Sequence, residues 1–220
     1  MTEKSLETLD IEALNKEADR QLAIANCKNL INKVIFHGAA WLNKKIIPLW
    51  ADREDDKLEM PWGIYDGIEG VKRFYLKDVG DRHDEGQLDF IKGCMMWYAT
   101  DTPIVVVAED GKTAKGLWTS QGVDTWREGD AHPDAYWRWG YYAVDFIKEE
   151  DGWKIWHMTF YPLFLTKYEE PWTKAPAYDF AFYPVSPDRP RQAPLYSYGE
   201  DKLYKNYAPE IPQAYETYEG

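Results

Sequence analysis

The chain has 220 residues, 45% of them hydrophobic and 16% aromatic, which allows one well-buried core and is too short to need two globular domains. Its formal net charge of −12 argues against nucleic acid and anionic membrane surfaces as partners, because both select clustered Lys and Arg. No run of residues is long and apolar enough to cross a membrane, and the N-terminus lacks a signal-peptide pattern, so we expect a cytoplasmic protein.

The N-terminal quarter of the chain has the residue spacing of helices. Asp10 is a suitable N-cap, and the apolar residues that follow recur at helical intervals, which predicts one long helix over 10–41. A short helix interrupted by Pro48 is predicted over 42–50. The acidic run 52–56 predicts a solvated loop rather than a metal site.

The middle of the chain mixes short elements with a first hairpin. Residues 60–65 predict a short strand and residues 67–75 the start of an amphipathic helix, whereas 81–94 have no clear pattern. Residues 102–108 and 113–120 are β-prone and flank the turn sequence Glu-Asp-Gly-Lys, which predicts a hairpin.

The most aromatic part of the chain predicts a second, longer hairpin. Residues 136–147 and 153–161 are β-prone and are joined by a charged turn that contains Asp151 and Gly152. Aromatic side chains occur at both parities along each strand, so both faces of this sheet must be covered. One face would pack on the core, and the other would meet a partner subunit, a ligand cavity or the chain's own tail.

The C-terminal fifty residues differ in composition from the rest. Eight of the thirteen prolines and eight of the sixteen tyrosines lie there. Proline at this density prevents regular structure throughout, and the tyrosines argue against free disorder. We therefore predict a body over 1–170 and an extension over 171–220 that wraps the body or a neighbouring subunit. The order of elements predicts an α+β fold, with helices on one face of a curved antiparallel sheet.

Five motifs resemble the SnoaL-like branch of the nuclear transport factor 2-like (NTF2-like) superfamily, and the resemblance covers roughly residues 15–165. The motifs occupy residues 49–53, 60–63, 65–75, 102–120 and 144–157. The resemblance implies a cone in which a curved sheet and N-terminal helices enclose one apolar pocket, usually in a homodimer. Enzymes of the family include dehydratases, polyketide cyclases, isomerases and lyases, which typically use no cofactor.

The dehydratase-like members carry a Tyr and an Asp on the first helix and a His on the strand before a Thr-Pro pair. These positions correspond to Val34, Ala39 and Tyr98 here. None of the three roles is kept by residue type, so the resemblance does not predict a simple Asp/His dehydratase mechanism. The polar residues that remain nearby are His37, Tyr98 and Asp101.

The histidines are the candidate bases, because a neutral imidazole removes protons at physiological pH. His37 lies on the apolar stripe of the first helix, where it would face the cavity or bond at the helix–sheet seam. His157 shares a strand face with Tyr161, and both would approach His37 if that face were concave. His83 lies in a charged segment that would be either a pocket lid or a solvated loop.

The remaining candidates are aromatic or sulfur-containing. Trp and Tyr side chains able to form substrate walls are Trp41, Trp97, Trp118, Trp137 and Tyr141, each of which could equally be core. Cys27 and Cys94 lack metal-ligand spacing and are predicted to be structural thiols, and His132 beside a proline is predicted at the surface.

The chain contains no phosphate-binding loop, nucleophile elbow or His-Glu metal motif. We therefore predict a lyase or isomerase without cofactor or metal, acting on a small aromatic or polycyclic substrate by dehydration, double-bond migration or retro-aldol loss. His37 or His157 would take the proton, and Tyr98 or Tyr161 would bind the oxyanion or protonate the leaving group. The alternative is a non-catalytic module that binds a small hydrophobic molecule or assembles with other subunits.

Overall fold

A computed structural model describes residues 10–126, 133–174 and 184–219. The predicted long helix is confirmed as α1 (Ile11–Ala39), whose first free backbone amides are capped by Asp10 through a 3.0 Å bond from Ala13 N. Trp41 follows with a left-handed φ of 56°, which ends the helix. A buried stripe faces the sheet and consists of Ala23, Cys27, Leu30, Ile31 and Val34.

Short elements connect α1 to the main sheet. Two 3₁₀ turns, Asn43–Lys45 and Ile47–Leu49, replace the predicted short helix. The predicted single strand is instead a hairpin of β1 (Lys57–Met60) and β2 (Gly63–Asp66). The helix predicted to start at Gly67 is α2 (Gly67–Lys72), which continues as a π-helix over Arg73–Gly80, and α3 (Leu88–Ile91) follows.

The second half of the body is one sheet of long antiparallel strands, and both predicted hairpins are present. Its strands are β3 (Met95–Tyr98), β4 (Asp101–Val107), β5 (Thr113–Trp126), β6 (Asp134–Glu149) and β7 (Gly152–Lys167). The strand order is β2-β1-β7-β6-β5-β3, with β4 also paired to β5. The sheet is curved and unclosed, and only β1 and β7 run parallel among its described pairs.

The two faces of the sheet have different partners. On the helix face, alternate strand residues such as Trp118, Phe146 and Phe160 are all 1% exposed or less, and α1 packs against β3, β4, β5 and β7. The opposite face, here the outer face, carries the residues between them, and the C-terminal extension covers part of it. The prediction that aromatic residues on both faces would be covered by different layers is therefore met at Tyr161, which packs on the extension, but not at Trp137 and Trp139, which are 37% and 40% exposed.

The extension is tied to the body by hydrogen bonds from its described part. The buried carboxylate of Asp78 accepts bonds of 2.6 and 2.7 Å from the backbone amide and hydroxyl of Ser186. Arg189 pairs with Asp66, and its backbone bridges to Ile64. The described part of the extension therefore contacts the body of its own chain, while its boundary near residue 170 and any contact with a neighbouring subunit stay predictions.

Two further predictions for the body concern the acidic run 52–56 and His132. The end of the acidic run 52–56 is not solvated, because Asp56 is 1% exposed and accepts a 3.1 Å bond from Arg53 N. His132 lies outside the described residues.

Among the described helices, none combines the length and apolar character needed to cross a membrane.

Candidate functional site

A narrow cavity of about 80 Å³ lies between α1, the π-helix and the helix face of the sheet. Most of its walls are apolar, and its polar groups come from the loop after α1, the π-helix, β3 and β6. The described lining residues are Val34, Ile35, Gly38, Ala39, Asn43, Ile46, Leu58, Met60, Phe74, Tyr75, Val79, Met96, Tyr98, Arg138, Tyr142 and Met158. The helix positions where dehydratase-like relatives carry Tyr and Asp thus face the cavity with apolar side chains.

The polar residues of the cavity form a row across three strands. Tyr98 on β3 is paired with Gly122 on β5, which is paired in turn with Arg138 on β6. A Cβ atom at Gly122 would lie 2.3 Å from both Trp97 O and Tyr98 Cδ1. Glycine at this position is therefore what lets the Tyr98 ring cross β5.

Tyr98 links the carboxyl group of Asp124 to the cation of Arg138 inside the wall of the cavity. Its hydroxyl donates a short hydrogen bond to Asp124 Oδ1 and accepts one of 2.9 Å from Arg138 Nη1. The same guanidinium nitrogen lies 3.9 Å from Asp124 Oδ2. The Arg138 guanidinium carbon also lies 4.9 Å from the ring centres of Tyr98 and Phe160, so both aromatic faces hold the cation in place.

Burial controls the protonation of Asp124. The residue is 1% exposed, and this desolvation raises the pKa of its carboxyl, while the charge of Arg138 and the bond from Tyr98 act in the opposite direction. Burial likewise raises the pKa of Tyr142. A carboxylate with a raised pKa accepts a proton more readily near neutral pH than an exposed one does.

The network can move a proton without a histidine. When Tyr98 Oη takes a proton from a bound molecule, its own proton can pass to Asp124 Oδ1 along the existing bond. Arg138 would stabilise negative charge on the Tyr98 oxygen during this transfer. The reverse transfer returns a proton from the same oxygen, so one site can serve as base and then as acid.

His37 is not among the described residues that line the cavity. It lies half-buried in the last turn of α1, where burial and then Lys45 and Lys33 lower the pKa of its imidazole. Its predicted placement facing the cavity is therefore not observed. Val34 and Gly38 line the cavity, and His37 lies beside them on α1.

The condition under which His157 and Tyr161 would approach His37 is not met, because both lie on the outer face. Met158, next in sequence to His157, lines the cavity, so His157 points the other way. Its Nδ1 lies 3.0 Å from Asp145 Oδ2 and its Nε2 lies 3.1 Å from Asp55 O. Both ring nitrogens are thus engaged away from the cavity.

Other predicted residues also lie apart from the cavity. The Tyr161 ring packs against Tyr196 of the extension at 5.2 Å. His83 is exposed beside Asp84, so the structure favours the solvated-loop alternative for its side chain. Asp101 is exposed and accepts a 2.6 Å bond from Gln121 Nε2.

The five predicted substrate walls divide between core and surface. Trp41 and Trp118 are buried in the core, and Trp97 is 61% exposed. Trp137 and Tyr141 line a groove on the outer face. Tyr98 is therefore the only residue among the predicted catalytic and substrate-binding sets that lines the described cavity.

Asp124 and Arg138 were not predicted from the sequence. A signal for Asp124 was present, because it continues the alternation of Trp118 and Ser120 along β5 and places an acid on the buried face. Arg138 stands between two tryptophans on an alternating strand, but the face it occupies depends on the pairing of β5 with β6.

The matched family model carries the description SnoaL-like domain and covers residues 23–159, which include all the described lining residues of the cavity. The chain belongs to the SnoaL-like family. No match was found among curated proteins.

Solved structures share the NTF2-like fold of this SnoaL-like protein at low sequence identity. The hexachlorocyclohexane dehydrochlorinase LinA-type3 of Novosphingobium barchaimii is 14% identical, with a TM-score of 0.56 over 70% of this chain and 96% of that one. A protein of Novosphingobium aromaticivorans assigned as a scytalone dehydratase is 12% identical, with a TM-score of 0.52 over 72% and 93%. An NTF2-like protein of Streptomyces avermitilis assigned as a dehydratase is 14% identical, with a TM-score of 0.51 over 65% and 97%.

Proposed function

We propose that this SnoaL-like protein is a cofactor-independent lyase or isomerase that acts on a small aromatic molecule in the cavity. The observation that carries the proposal is the hydrogen-bonded network of Tyr98, Asp124 and Arg138 in an apolar wall. Such a network supplies a base, an acid and a fixed positive charge where little water competes.

In an elimination, Tyr98 Oη would take the proton from a substrate carbon next to a carbonyl or ring. The tyrosine proton passes to Asp124, and the electron pair of the broken C–H bond forms the new double bond. The leaving hydroxyl departs as water after receiving the proton that the network returns. Arg138 stabilises the negative charge that the phenolic oxygen carries during the first transfer, while the tyrosine proton moves to Asp124 and the substrate proton arrives.

The same residues serve the other reactions of this class. Double-bond migration needs the proton returned to a different carbon, and retro-aldol loss needs it taken from a hydroxyl and returned to carbon. In every case the proton that leaves the substrate is restored to the products, so no external acid, base or electron carrier is consumed.

The size of the cavity limits the substrate. An apolar cavity of about 150 Å³ accommodates benzene, so one of about 80 Å³ must widen before a ring can enter. The π-helix Arg73–Gly80 forms one wall, and such helices occur often at functional sites. We therefore favour a monocyclic substrate over the polycyclic alternative.

The names of two proteins with solved structures of this fold fit the proposed reaction class. The LinA-type3 protein is named for removing hydrogen chloride and the Novosphingobium aromaticivorans protein for removing water. Because their identity to this chain is low, the likeness extends to the fold alone, and the choice of reaction class rests on the network.

A non-catalytic binding or assembly module is the second candidate, and the small volume of the cavity favours it. A module would bind a compound without changing it, whereas the enzyme would release a product of different mass. The family resemblance also implies a homodimer or larger homo-oligomer, which we retain as a proposal that sedimentation can check.

The test is a mass-spectrometric screen of the purified protein against hydroxylated and halogenated monocyclic aromatic compounds. We expect one compound to lose water, hydrogen halide or formaldehyde, or to change retention without changing mass. Tyr98→Phe and Asp124→Asn should each abolish this turnover. The matched controls are Tyr168→Phe and Asp151→Asn, which make the same chemical changes at exposed positions. Thermal stabilisation by a compound that never turns over would support the module instead.

A further inference from the structure

The outer face of the sheet carries a second concave feature, separated from the cavity by the thickness of the sheet. This outer groove has a volume of about 540 Å³ and runs between the β6–β7 pair and the C-terminal extension. Seven of its eight described lining residues are aromatic, and the eighth is Leu163. Its volume lies within the range of small-molecule sites.

The rings of the groove form an ordered stack. Trp139 and Phe164 lie 5.5 Å apart with an interplanar angle of 24°, and Phe164 and Trp172 lie 5.5 Å apart at 20°. Tyr198 of the extension meets Trp172 edge-on at 5.1 Å and 79°. Trp139 and Trp172 nevertheless remain 40% and 47% exposed, so the stack leaves indole surface uncovered.

The polarity of the groove restricts what could fill it. None of the described lining residues is Asp, Glu, Lys, Arg or His. The hydroxyl of Tyr207 already donates to Gly199 O at 2.6 Å. A charged ligand would therefore lose its hydration without gaining a charged partner.

We propose that the outer groove is a binding site for an uncharged, planar aromatic small molecule. Near-parallel rings on the sheet offer faces for offset stacking, and the extension supplies a second wall that a flat protein interface would not need. The occupant is not a peptide strand, because the described lining presents rings rather than a free strand edge. This site lies outside the cavity and does not depend on turnover there.

Two dyes with the same ring system test the proposal. N-phenyl-1-naphthylamine is neutral and consists of flat aromatic rings, and 1-anilinonaphthalene-8-sulfonate adds one negative charge. We expect the neutral dye to bind once per chain by fluorescence titration, and the sulfonate to bind at least about tenfold more weakly. Equal binding of both dyes, or no saturable binding of the neutral one, would overturn the proposal.

Four single-residue variants test whether the dye binds in the outer groove. Trp172→Ala and Trp139→Ala should each weaken its binding about tenfold, because each removes one stacking ring. Gly38→Leu fills the cavity and should leave dye binding unchanged, as should Trp97→Ala, which removes an exposed indole outside the groove. Loss of binding in Gly38→Leu would place the dye in the cavity and refute the site. A dimer by sedimentation that dissociates in both Trp172→Ala and Trp139→Ala, without dye binding to the wild type, would identify a second copy as the occupant instead.

Discussion

The phenol of Tyr98 on β3 donates a hydrogen bond to the buried carboxylate of Asp124 on β5, and the Tyr98 ring crosses β5 above Gly122. Arg138 completes the contact from β6 at 2.9 Å from the same oxygen. A carboxyl group and a cation thus both bond to the phenolic oxygen of Tyr98 beside an apolar cavity. Under the proposed function, this arrangement would serve in place of the Tyr, Asp and His set of the dehydratase-like members.

The close approach at Gly122 gives a prediction about stability. Gly122→Ala would place a methyl carbon 2.3 Å from the backbone oxygen of Trp97, so β3 must shift to accept it. We expect the free energy of unfolding in urea to fall by about 1–3 kcal/mol.

The matched control for that change is Gly38→Ala. Its new Cβ would meet only Ile46 Cδ1, at 3.9 Å, and it lies inside α1, where alanine is favoured over glycine. We expect this variant to be stabilised by about 0.5–1 kcal/mol. Equal effects of the two substitutions would contradict the account of Gly122.

Filling the cavity gives a prediction about activity. Gly38→Leu projects a larger side chain into the space of about 80 Å³ that Gly38 lines. We expect turnover of any compound found in the screen to disappear while the melting temperature is maintained. Retained turnover in a folded Gly38→Leu variant would show that the reaction takes place elsewhere.

Asp56 gives a prediction about pH. Burial raises the pKa of its carboxyl to about 6 from 3.8, so the folded state holds the proton more tightly than the unfolded state does. Its contribution to stability is therefore complete below pH 3.8 and is lost as the pH rises through about 6. Asp56→Asn should gain about 1 kcal/mol relative to the wild type between pH 4 and pH 7 in urea unfolding. A wild-type to variant difference that stays constant over this range would rule out the raised pKa.

The end of the extension gives a prediction about local opening. Tyr218 donates a 2.7 Å bond to Asp145 Oδ2 and lies 3.1 Å from His157 Nδ1. The neighbouring backbone of this tail accepts bonds from the amides of Glu109 and Asp110. We expect Tyr218→Phe to speed hydrogen exchange at these two amides about tenfold. Tyr196→Phe, elsewhere in the extension, is the control, and equal exchange in both variants would mean that Tyr218 does not hold the tail.

The fold was predictable because its signals are local. The helical spacing of α1 and the hairpin turn at Gly152 depend on neighbours in sequence, and both elements formed as expected. The face that His157 occupies was not predictable in this way. Its alternation with Tyr161 was correct, but which face meets α1 is decided by packing between distant elements.

The composition of the site was less predictable still. Tyr98 was reached only through the family resemblance, and its partners Asp124 and Arg138 lie 26 and 40 residues away. Their meeting depends on the register of β3 with β5 and of β5 with β6. No spacing in the sequence encodes that register directly, because it is set by hairpins and bulges formed only in the folded sheet.

The most direct test of the central claim compares Tyr98→Phe with His157→Ala on whichever compound the screen identifies. If Tyr98 transfers the proton, Tyr98→Phe should lower kcat/KM at least about 100-fold, since positioned acid–base groups contribute that much or more. His157→Ala, on the outer face, should keep kcat/KM within about threefold of the wild type, because surface changes away from a site cost little. Undiminished turnover in Tyr98→Phe, together with its loss in a folded His157→Ala variant, would contradict the assignment and return the base to the histidine.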